Sequence, residues 1–541
     1  MTKKDYKILF LIISIYSLFL FFKIGTINIP KTFITFNKND NISLDLGEEK
    51  EIDKISIFMG GYYKETTITN GEHRPIDYPK INISTFDNKN SLILKDFIAT
   101  FPNSENKNAP TVFSWDHIDV DKKIRFINLD FLFYKEDVYE ICIFDKNGNK
   151  TIPINILENN IDKLFDEQDK YSNSKITTDN TYDEPLYIQS AYQINNNLIT
   201  YEDTHPPLGK IIISIGITVF GNNPLGFRFM SALFGLFLLI TIYIFSKKIF
   251  KSIYISSFSI ILFATDFMLI SQSRLALIDI FTIFFIVSSY YFMYCYFEQK
   301  YTSNKSYVYL LLSGLFMGLS IACKWTGVYA AFGLAIIFFI KFITDRLTIK
   351  KRLSFIAFCF LSFIIIPLLI YTTSYLFIND GLNDNFFDIF INNQFKIFEY
   401  HKSLTSTHIA QSKWYSWMFL KNPVFIYTNG SQKLYLMGNP MIWTVGTFLF
   451  FYILYKYLKT KDNKALFIII GYLSQYLPWA LVPRYTFLYH YFPSIPFIIL
   501  IFAYFLNDII TKNIIYKKYA NLYLILSSLL FIIAYKFIVG I

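Results

Sequence analysis

The chain has 541 residues, 53% hydrophobic and 20% aromatic, with a formal net charge of +10. Apolar runs of about 18–23 residues recur between short polar links, each long enough to cross a bilayer core, which excludes an ordinary soluble domain and marks a polytopic integral membrane protein. The positive balance does not indicate a nucleic-acid partner, because no basic stripe with interleaved aromatics occurs and Lys and Arg collect in the cytoplasmic links of membrane proteins.

Lys3, Lys4 and Lys7 precede the first apolar run, Ile8–Phe22. No small-residue cleavage site follows it, so it reads as an uncleaved first span, with residues 1–27 forming the N-terminal tail and helix. A long polar stretch, 28–180, comes next. Alternating runs such as Ile42–Gly47, Lys54–Phe58, Ile81–Ser84, Ile124–Ile127 and Tyr139–Asp145, with turn signals such as Asn147-Gly148, predict an antiparallel β-sandwich. Its opening "LDLG" and late "EICIFDKNG" resemble discoidin-like jelly rolls, which often bind carbohydrate; Trp115 and His117 are read as core or structural residues, with a sugar site as the alternative. Cys142 is the single cysteine of this stretch, so the module has no internal disulfide. After a polar linker, 154–180, the chain from 181 to 541 is mostly apolar. Further spans are expected at about Phe227–Phe245, Ile253–Ile270, Ile280–Tyr296, Val308–Ala322, Val328–Phe342, Phe355–Phe377, Met441–Tyr457, Ala465–Leu481, Tyr491–Leu506 and Leu522–Ile538, eleven in all with the first. Under that count Lys247/Lys248/Lys251, Lys300/Lys305, Lys341, Lys456/Lys459/Lys461/Lys464 and Lys512/Lys517/Lys518 share one side with the N-terminus. That side is then the cytoplasm. The β-module, the Gln272–Asp279 link, Lys324, the loop Ile378–Pro440 and Arg484 face outward.

Polar and ionisable residues at membrane depth are costly, so each is a functional candidate. They gather on the outward side: Asp183-Glu184, His205 and Lys210, Arg228, Arg274 and Asp279, Lys324, His401 and His408, Trp414 and Trp417, Arg484 and His490. One acidic pair among several cations suits a lipid-linked phosphate donor. The cations hold the phosphate, whose charge they stabilise as it leaves, so a single carboxylate base suffices to activate an attacking hydroxyl. No pair of the four cysteines has metal-ligand spacing, and no divalent metal is predicted.

The same residues carry a resemblance. Asp183-Glu184, "HPPLGK" at His205–Lys210, "QSRLALID" at Gln272–Asp279, "CKWTG" at Cys323–Gly327, "GNP" at Gly438–Pro440 and "QYLPW…R…FLYHYFPSIPF" from Gln475 to Phe497 stand in order over about Tyr182–Leu500. They resemble the protein O-mannosyltransferase family, of bacterial type. The resemblance implies a C-type glycosyltransferase fold in the bacterial cell membrane. It implies an inverting transfer of mannose from polyprenyl-phosphate mannose to Ser/Thr hydroxyls of exported proteins, possible at a secretion channel. Asp183 matches the family's base, and Glu184 would bind donor or acceptor. Arg228, Arg274, Arg484 and Lys324 are candidates for the lipid phosphate; His205, His408, Trp414 and His490 are candidates for the acceptor and loop site. Two departures affect the acceptor side: His408 is followed by Ile409-Ala410 where the family commonly has Pro-Tyr, and the usual downstream Arg is replaced around Lys421. A glycolipid or wall-polymer acceptor is therefore the alternative, ahead of a non-enzymatic transporter or flippase, for which no internal repeat is seen.

Overall fold

The structure is a computed structural model that describes residues 1–63, 68–69, 72–73, 80–99, 112–133, 135–157, 160–172, 175–178, 180–299, 303–344, 348–381, 385–404, 408–429 and 432–540. It joins an antiparallel sheet to a large helical bundle. The first strands are β1 (Ile34–Asn37), β2 (Asn41–Tyr62), β3 (Ile68–Thr69), β4 (Glu72–His73), β5 (Lys80–Phe86), β6 (Leu92–Ala99), β7 (Ser114–Phe131), β8 (Lys135–Asp145) and β9 (Lys150–Thr151). Seven of them form one sheet, in the order β1-β8-β2-β7-β5-β6 with β9 on β8, and β3 pairs with β4 apart.

The expected sandwich is thus seen, among the described residues, as a single sheet with very long central strands. The segments Ile42–Gly47 and Lys54–Phe58 are one strand, β2. Its register with β7 shifts between Asp45 and Lys50 and again between Ile52 and Lys54. A bulge reverses which residues face inward. Ile42, Leu44, Leu46 and Ile52 therefore share a buried core with Ile55, Ile57 and Met59, although the alternation changes phase. That change of phase reads in the sequence as two strands. The opposite face of the sheet is aromatic. Phe58 meets Trp115 and Tyr139 at ring-centroid distances of 5.4 and 5.8 Å, and Phe113, just before β7, meets Tyr192 at 5.1 Å and Phe227 at 5.7 Å. Gly61 permits this docking, because a Cβ there would sit 2.6 Å from the Tyr192 ring. Trp115 is buried as expected, and His117 is exposed.

The helices are α1 (Lys3–Phe21), α2 (Lys175–Thr178), α3 (Glu184–Asn195), α4 (Leu208–Phe220), α5 (Pro224–Phe250), α6 (Ile253–Ala264), α7 (Phe267–Arg274), α8 (Asp279–Glu298), α9 (Lys305–Cys323), α10 (Val328–Thr344), α11 (Ile349–Phe360), α12 (Ile366–Ser374), α13 (Phe386–Ser403), α14 (Pro440–Thr460), α15 (Asn463–Tyr476), α16 (Ile495–Lys512) and α17 (Tyr516–Val539). A hairpin, β10 (Val424–Asn429) with β11 (Gln432–Leu436), lies in the long loop before α14. Among the described residues eight helical segments are long and apolar enough to cross a membrane, and a bent pair makes a possible ninth span.

Three expected spans differ in detail. The one at 253–270 is α6 plus α7, bent by 62° where Thr265 and Asp266 are buried. Asp266 caps α7 by accepting from the Leu269 amide (3.1 Å) and also accepts from the Trp443 indole (2.7 Å), so the break is built from polar contacts. The one at 465–481 contains a 14-residue α-helix, α15, which gives way to a 3₁₀ turn at Leu477–Leu481 carrying Pro478. α1 is interrupted by charge at its start, where Thr2 and Asp5 form a capping box. The apolar α4, of 13 residues, follows Pro206-Pro207 and is not among the expected spans.

The bundle has two chemically different ends. At one, Asp5 pairs with Lys247 (3.0 Å) and Glu298 pairs with Lys248 (2.9 Å), bringing together the start of α1 and the ends of α5 and α8. At the other end of α8, Asp279 pairs with Lys324 at the close of α9. The 20 residues of α8 separate these ends by about 30 Å, the thickness of a hydrocarbon core.

Candidate active site

Asp183 stands at the N-cap position of α3, but its side chain does not cap the helix. Among the described residues its carboxylate accepts no hydrogen bond, and the charges that reach it are Lys324, Asp279 and Glu202. Burial pushes its pKa up to about 6; Lys324 opposes the shift, and Asp279 and Glu202 add to it. The preceding residue, Tyr182, has φ +59°, in the left-handed region. A non-glycine residue there costs on the order of 1–3 kcal/mol and is kept where surrounding contacts fix it. The Tyr182 ring packs on Tyr489 at 6.3 Å.

Glu184 is used differently. Arg228 donates to both its oxygens, Nε to Oε1 and Nη2 to Oε2, each at 2.8 Å. The Ala276 amide donates to Oε1 (2.8 Å) and the Thr181 amide to Oε2 (3.0 Å). Arg228 Nη1 donates to the carbonyls of Ile24 (2.9 Å) and Ile176 (2.6 Å). Arg274, near the end of α7, donates to the carbonyls of Leu20 (2.6 Å), Phe22 (2.8 Å) and Lys23 (3.0 Å). These are carbonyls that the end of α1 leaves without helical partners, and a cation suits the negative end of the helix. The sequence groups Glu184, Arg228 and Arg274 with the substrate; in the structure Glu184 pairs with Arg228, and Arg274 donates to backbone carbonyls.

The "HPPLGK" segment is organised by a residue the sequence reading left out. Glu202 is buried and accepts from Lys210 Nζ (2.6 Å), the His205 ring at Nδ1 (2.9 Å), the Thr204 amide (3.0 Å) and the Thr204 hydroxyl. Burial alone would raise its pKa, but Lys210 and His205 hold it well below the usual range. The Glu-x-x-His spacing of 202 and 205 was the available signal. Lys324 donates to Asp279 Oδ1 (2.9 Å) and Oδ2 (3.1 Å) and lies 5.7 Å from the centre of the Tyr489 ring.

The outer loop folds onto the segment that carries Arg484. The Ser412 amide donates to Thr486 O (2.8 Å), and the Thr486 hydroxyl donates back to Ser412 O (2.7 Å). His408 is held by the Ala410 amide, which donates to its Nδ1 (3.0 Å), and its ring meets Phe487 at 5.2 Å. His490 Nδ1 accepts from the Phe487 amide (2.9 Å), and its ring packs beside Trp479 (4.3 Å) and Trp417 (6.1 Å). Trp414 packs on Tyr476 at 5.2 Å. Arg484 is half-buried and makes no hydrogen bond or ion pair among the described residues, while its charge reaches Tyr489, His490 and His401. Tyr489 thus joins the two groups: Asp183, Lys324 and His205 on one side, Arg484, His408 and His490 on the other. No set of three or more His, Cys, Asp or Glu among the described residues has the arrangement of a metal site.

Comparison with known proteins places this arrangement. The family profile "Dolichyl-phosphate-mannose-protein mannosyltransferase" matches residues 219–377, and "C-terminal four TMM region of protein-O-mannosyltransferase" matches 386–541. The polyprenol-phosphate-mannose–protein mannosyltransferase of Corynebacterium glutamicum is 24% identical over 360 residues, 55% of this chain and 69% of the relative. The protein of the same name from Mycolicibacterium smegmatis is 23% identical over 405 residues, 61% and 77% of the two chains. Among solved structures, the S. cerevisiae protein O-mannosyltransferase Pmt1-Pmt2 complex bound to the sugar donor superposes with a TM-score of 0.61 at 15% identity, over 66% of this chain and 86% of that one. The fold and the family matches together define an integral membrane glycosyltransferase of the C type. The chain belongs to the protein O-mannosyltransferase family.

Proposed function

We propose that this chain transfers mannose from polyprenyl-phosphate mannose to Ser/Thr hydroxyls of exported proteins, with inversion, at the outer face of a bacterial cell membrane. The carrying observation is the contrast within the acidic pair: Glu184 is fully engaged by Arg228 and two backbone amides, whereas the half-buried Asp183 carboxylate makes no hydrogen bond among the described residues. Asp183 takes the hydroxyl proton as that oxygen attacks the anomeric carbon. The bond from that carbon to the phosphate oxygen breaks on the opposite side, and polyprenyl phosphate leaves with the electron pair. A single displacement of this kind inverts the configuration. Transfer of labelled mannose from polyprenyl-phosphate mannose to a Ser/Thr-rich peptide by the purified chain tests the reading; transfer only to lipid would reassign the acceptor.

The phosphate is assigned to Arg484, assisted by Lys324. Arg484 has its donors available, whereas those of Arg228 and Arg274 serve the Glu184 clamp and the end of α1. Arg484→Ala should raise the donor KM roughly 10- to 100-fold, the value of a charge-assisted hydrogen bond. Arg484→Lys should recover part of the loss, since it keeps the charge but not the planar fork. An unchanged donor KM in Arg484→Ala would remove Arg484 from the donor site.

The orientation follows from the two ends of the bundle. The Lys-rich end, with Lys247, Lys248 and Lys251, is assigned to the cytoplasm, and the end with Asp183, Lys324 and the sheet to the outside. In intact cells a cysteine at Asn37 should label with an impermeant reagent and one at Lys461 should not. The reverse pattern would invert the topology.

A further inference from the structure

His401 lies in the last turn of α13. That helix is pinned against the site by its inner face: Asn393 Nδ2 donates to Asp203 O (3.1 Å), Lys396 pairs with Asp203 (3.4 Å), and the Tyr371 hydroxyl donates to Gln394 Oε1 (2.6 Å). Its outer face exposes Phe387, Ile391, Phe395 and Phe398 at helical spacing, an apolar stripe suited to lipid. Pinned on its inner face, the helix brings the His401 ring to 5.6 Å from His205 and 6.3 Å from Trp325. Each neighbour is itself fixed, His205 by Glu202 and Trp325 by its indole N–H, which donates to the Tyr371 hydroxyl (2.8 Å). In this frame the Nδ1 atom of His401 is buried and makes no hydrogen bond among the described residues. A buried polar atom without a partner is uncommon in a folded protein, and one in a candidate active site calls for a ligand group to fill it.

The chemistry of the surroundings selects the group. Burial, with His205, Arg484 and Lys324 nearby, pushes the His401 pKa down to about 4, so the ring is neutral and offers one donor and one acceptor. A neutral bifunctional ring beside an indole suits a polyol with an apolar carbon face better than it suits a phosphate, which Arg484 and Lys324 are placed to hold. A frame fixed on all sides also suits a ligand group that is constant from turnover to turnover, as the transferred sugar is and the protein acceptor is not. We propose that His401 is a specificity-determining residue for the sugar, hydrogen-bonding a hydroxyl of the transferred hexose whose carbon face lies against Trp325. This rests on the reading of the donor as a polyprenyl-phosphate hexose.

The test is binding by the full-length chain of three probes: polyprenyl-phosphate mannose, polyprenyl-phosphate glucose and polyprenyl phosphate without sugar. The wild type should bind the mannosyl lipid more tightly than the sugar-free lipid. His401→Phe should weaken the mannosyl lipid about tenfold, the value of one hydrogen bond to a neutral group, and leave the sugar-free lipid unchanged. His401→Gln should recover part of the loss and alter the mannose-to-glucose preference. His401→Phe matching the wild type on the mannosyl lipid overturns the proposal. So does an equal loss on the sugar-free lipid, which would mark a phosphate contact or a general disturbance of the site. If His401→Phe does not fold, the Gln variant decides, and an unchanged mannose-to-glucose ratio overturns the proposal. A wild type that discriminates in binding but transfers to no peptide leaves the sugar subsite standing and removes the protein-acceptor reading.

Discussion

Asp183→Asn should abolish mannosyl transfer, with a loss of about 10²–10⁴-fold, the usual contribution of a general base. The substitution is nearly isosteric. It removes the proton acceptor without emptying the space, and it breaks no hydrogen bond of the folded chain, because the Asp183 side chain neither caps α3 nor accepts one among the described residues. Thermal stability and affinity for polyprenyl phosphate should therefore stay near wild type. The pH profile supplies a second measurement. With its pKa pushed up to about 6 by burial, Asp183 is ionised at pH 7 and becomes protonated as pH falls through 6. A base works only when deprotonated, so kcat should fall on the acid side, approaching tenfold per unit. Lys324 opposes the burial shift, so Lys324→Met should move that limb to higher pH. Near wild-type turnover in Asp183→Asn would show that another group is the base.

Removing Glu184 should do something quite different. Glu184→Ala leaves the Arg228 guanidinium buried without its carboxylate and strands the Ala276 and Thr181 amides. Breaking a buried ion pair from one side costs about 3–5 kcal/mol. The expected result is loss of folded protein, read as a lower yield from the membrane and a lower thermal midpoint in detergent. A double variant, Glu184→Gln with Arg228→Met, should recover part of the stability, because it removes both charges. Recovery should be incomplete, since Arg228 also serves the carbonyls of Ile24 and Ile176. If Glu184→Ala is as stable as wild type but inactive, Glu184 acts in the chemistry and the clamp is incidental.

The neighbouring carboxylates show what a sequence can and cannot disclose. Their presence, order and company of cations were legible, because charge near apolar spans is conspicuous. Their division of labour was not, since it depends on which of them Arg228 reaches from 44 residues away. The same holds for Arg274, whose partners are backbone carbonyls about 250 residues earlier and carry no side-chain signature. His401 stands in the sequence as one outward-side histidine among several, because its company, His205 and Trp325, is brought to it by separate segments. Among the elements, the long apolar helices were visible from composition alone. The bend at Thr265-Asp266 was hidden by the apolar residues around it, and β2 was read as two strands because its bulges reverse the alternation that defines a strand face.

The anchoring of α1 also imposes an order on synthesis. Its final carbonyls wait for Arg274, and the turn after it, at Ile24, waits for Arg228. At about 5–20 residues per second, the ribosome needs on the order of 10–50 s to make the roughly 250 residues between α1 and Arg274. Until α5 emerges the first helix lacks the partners that Arg228 and Lys247 supply, and the sheet lacks the Tyr192 and Phe227 rings of α3 and α5 on which Phe113 rests. The aromatic face of the sheet is thus covered once α5 is made, and the last carbonyls of α1 are satisfied only when α7 follows.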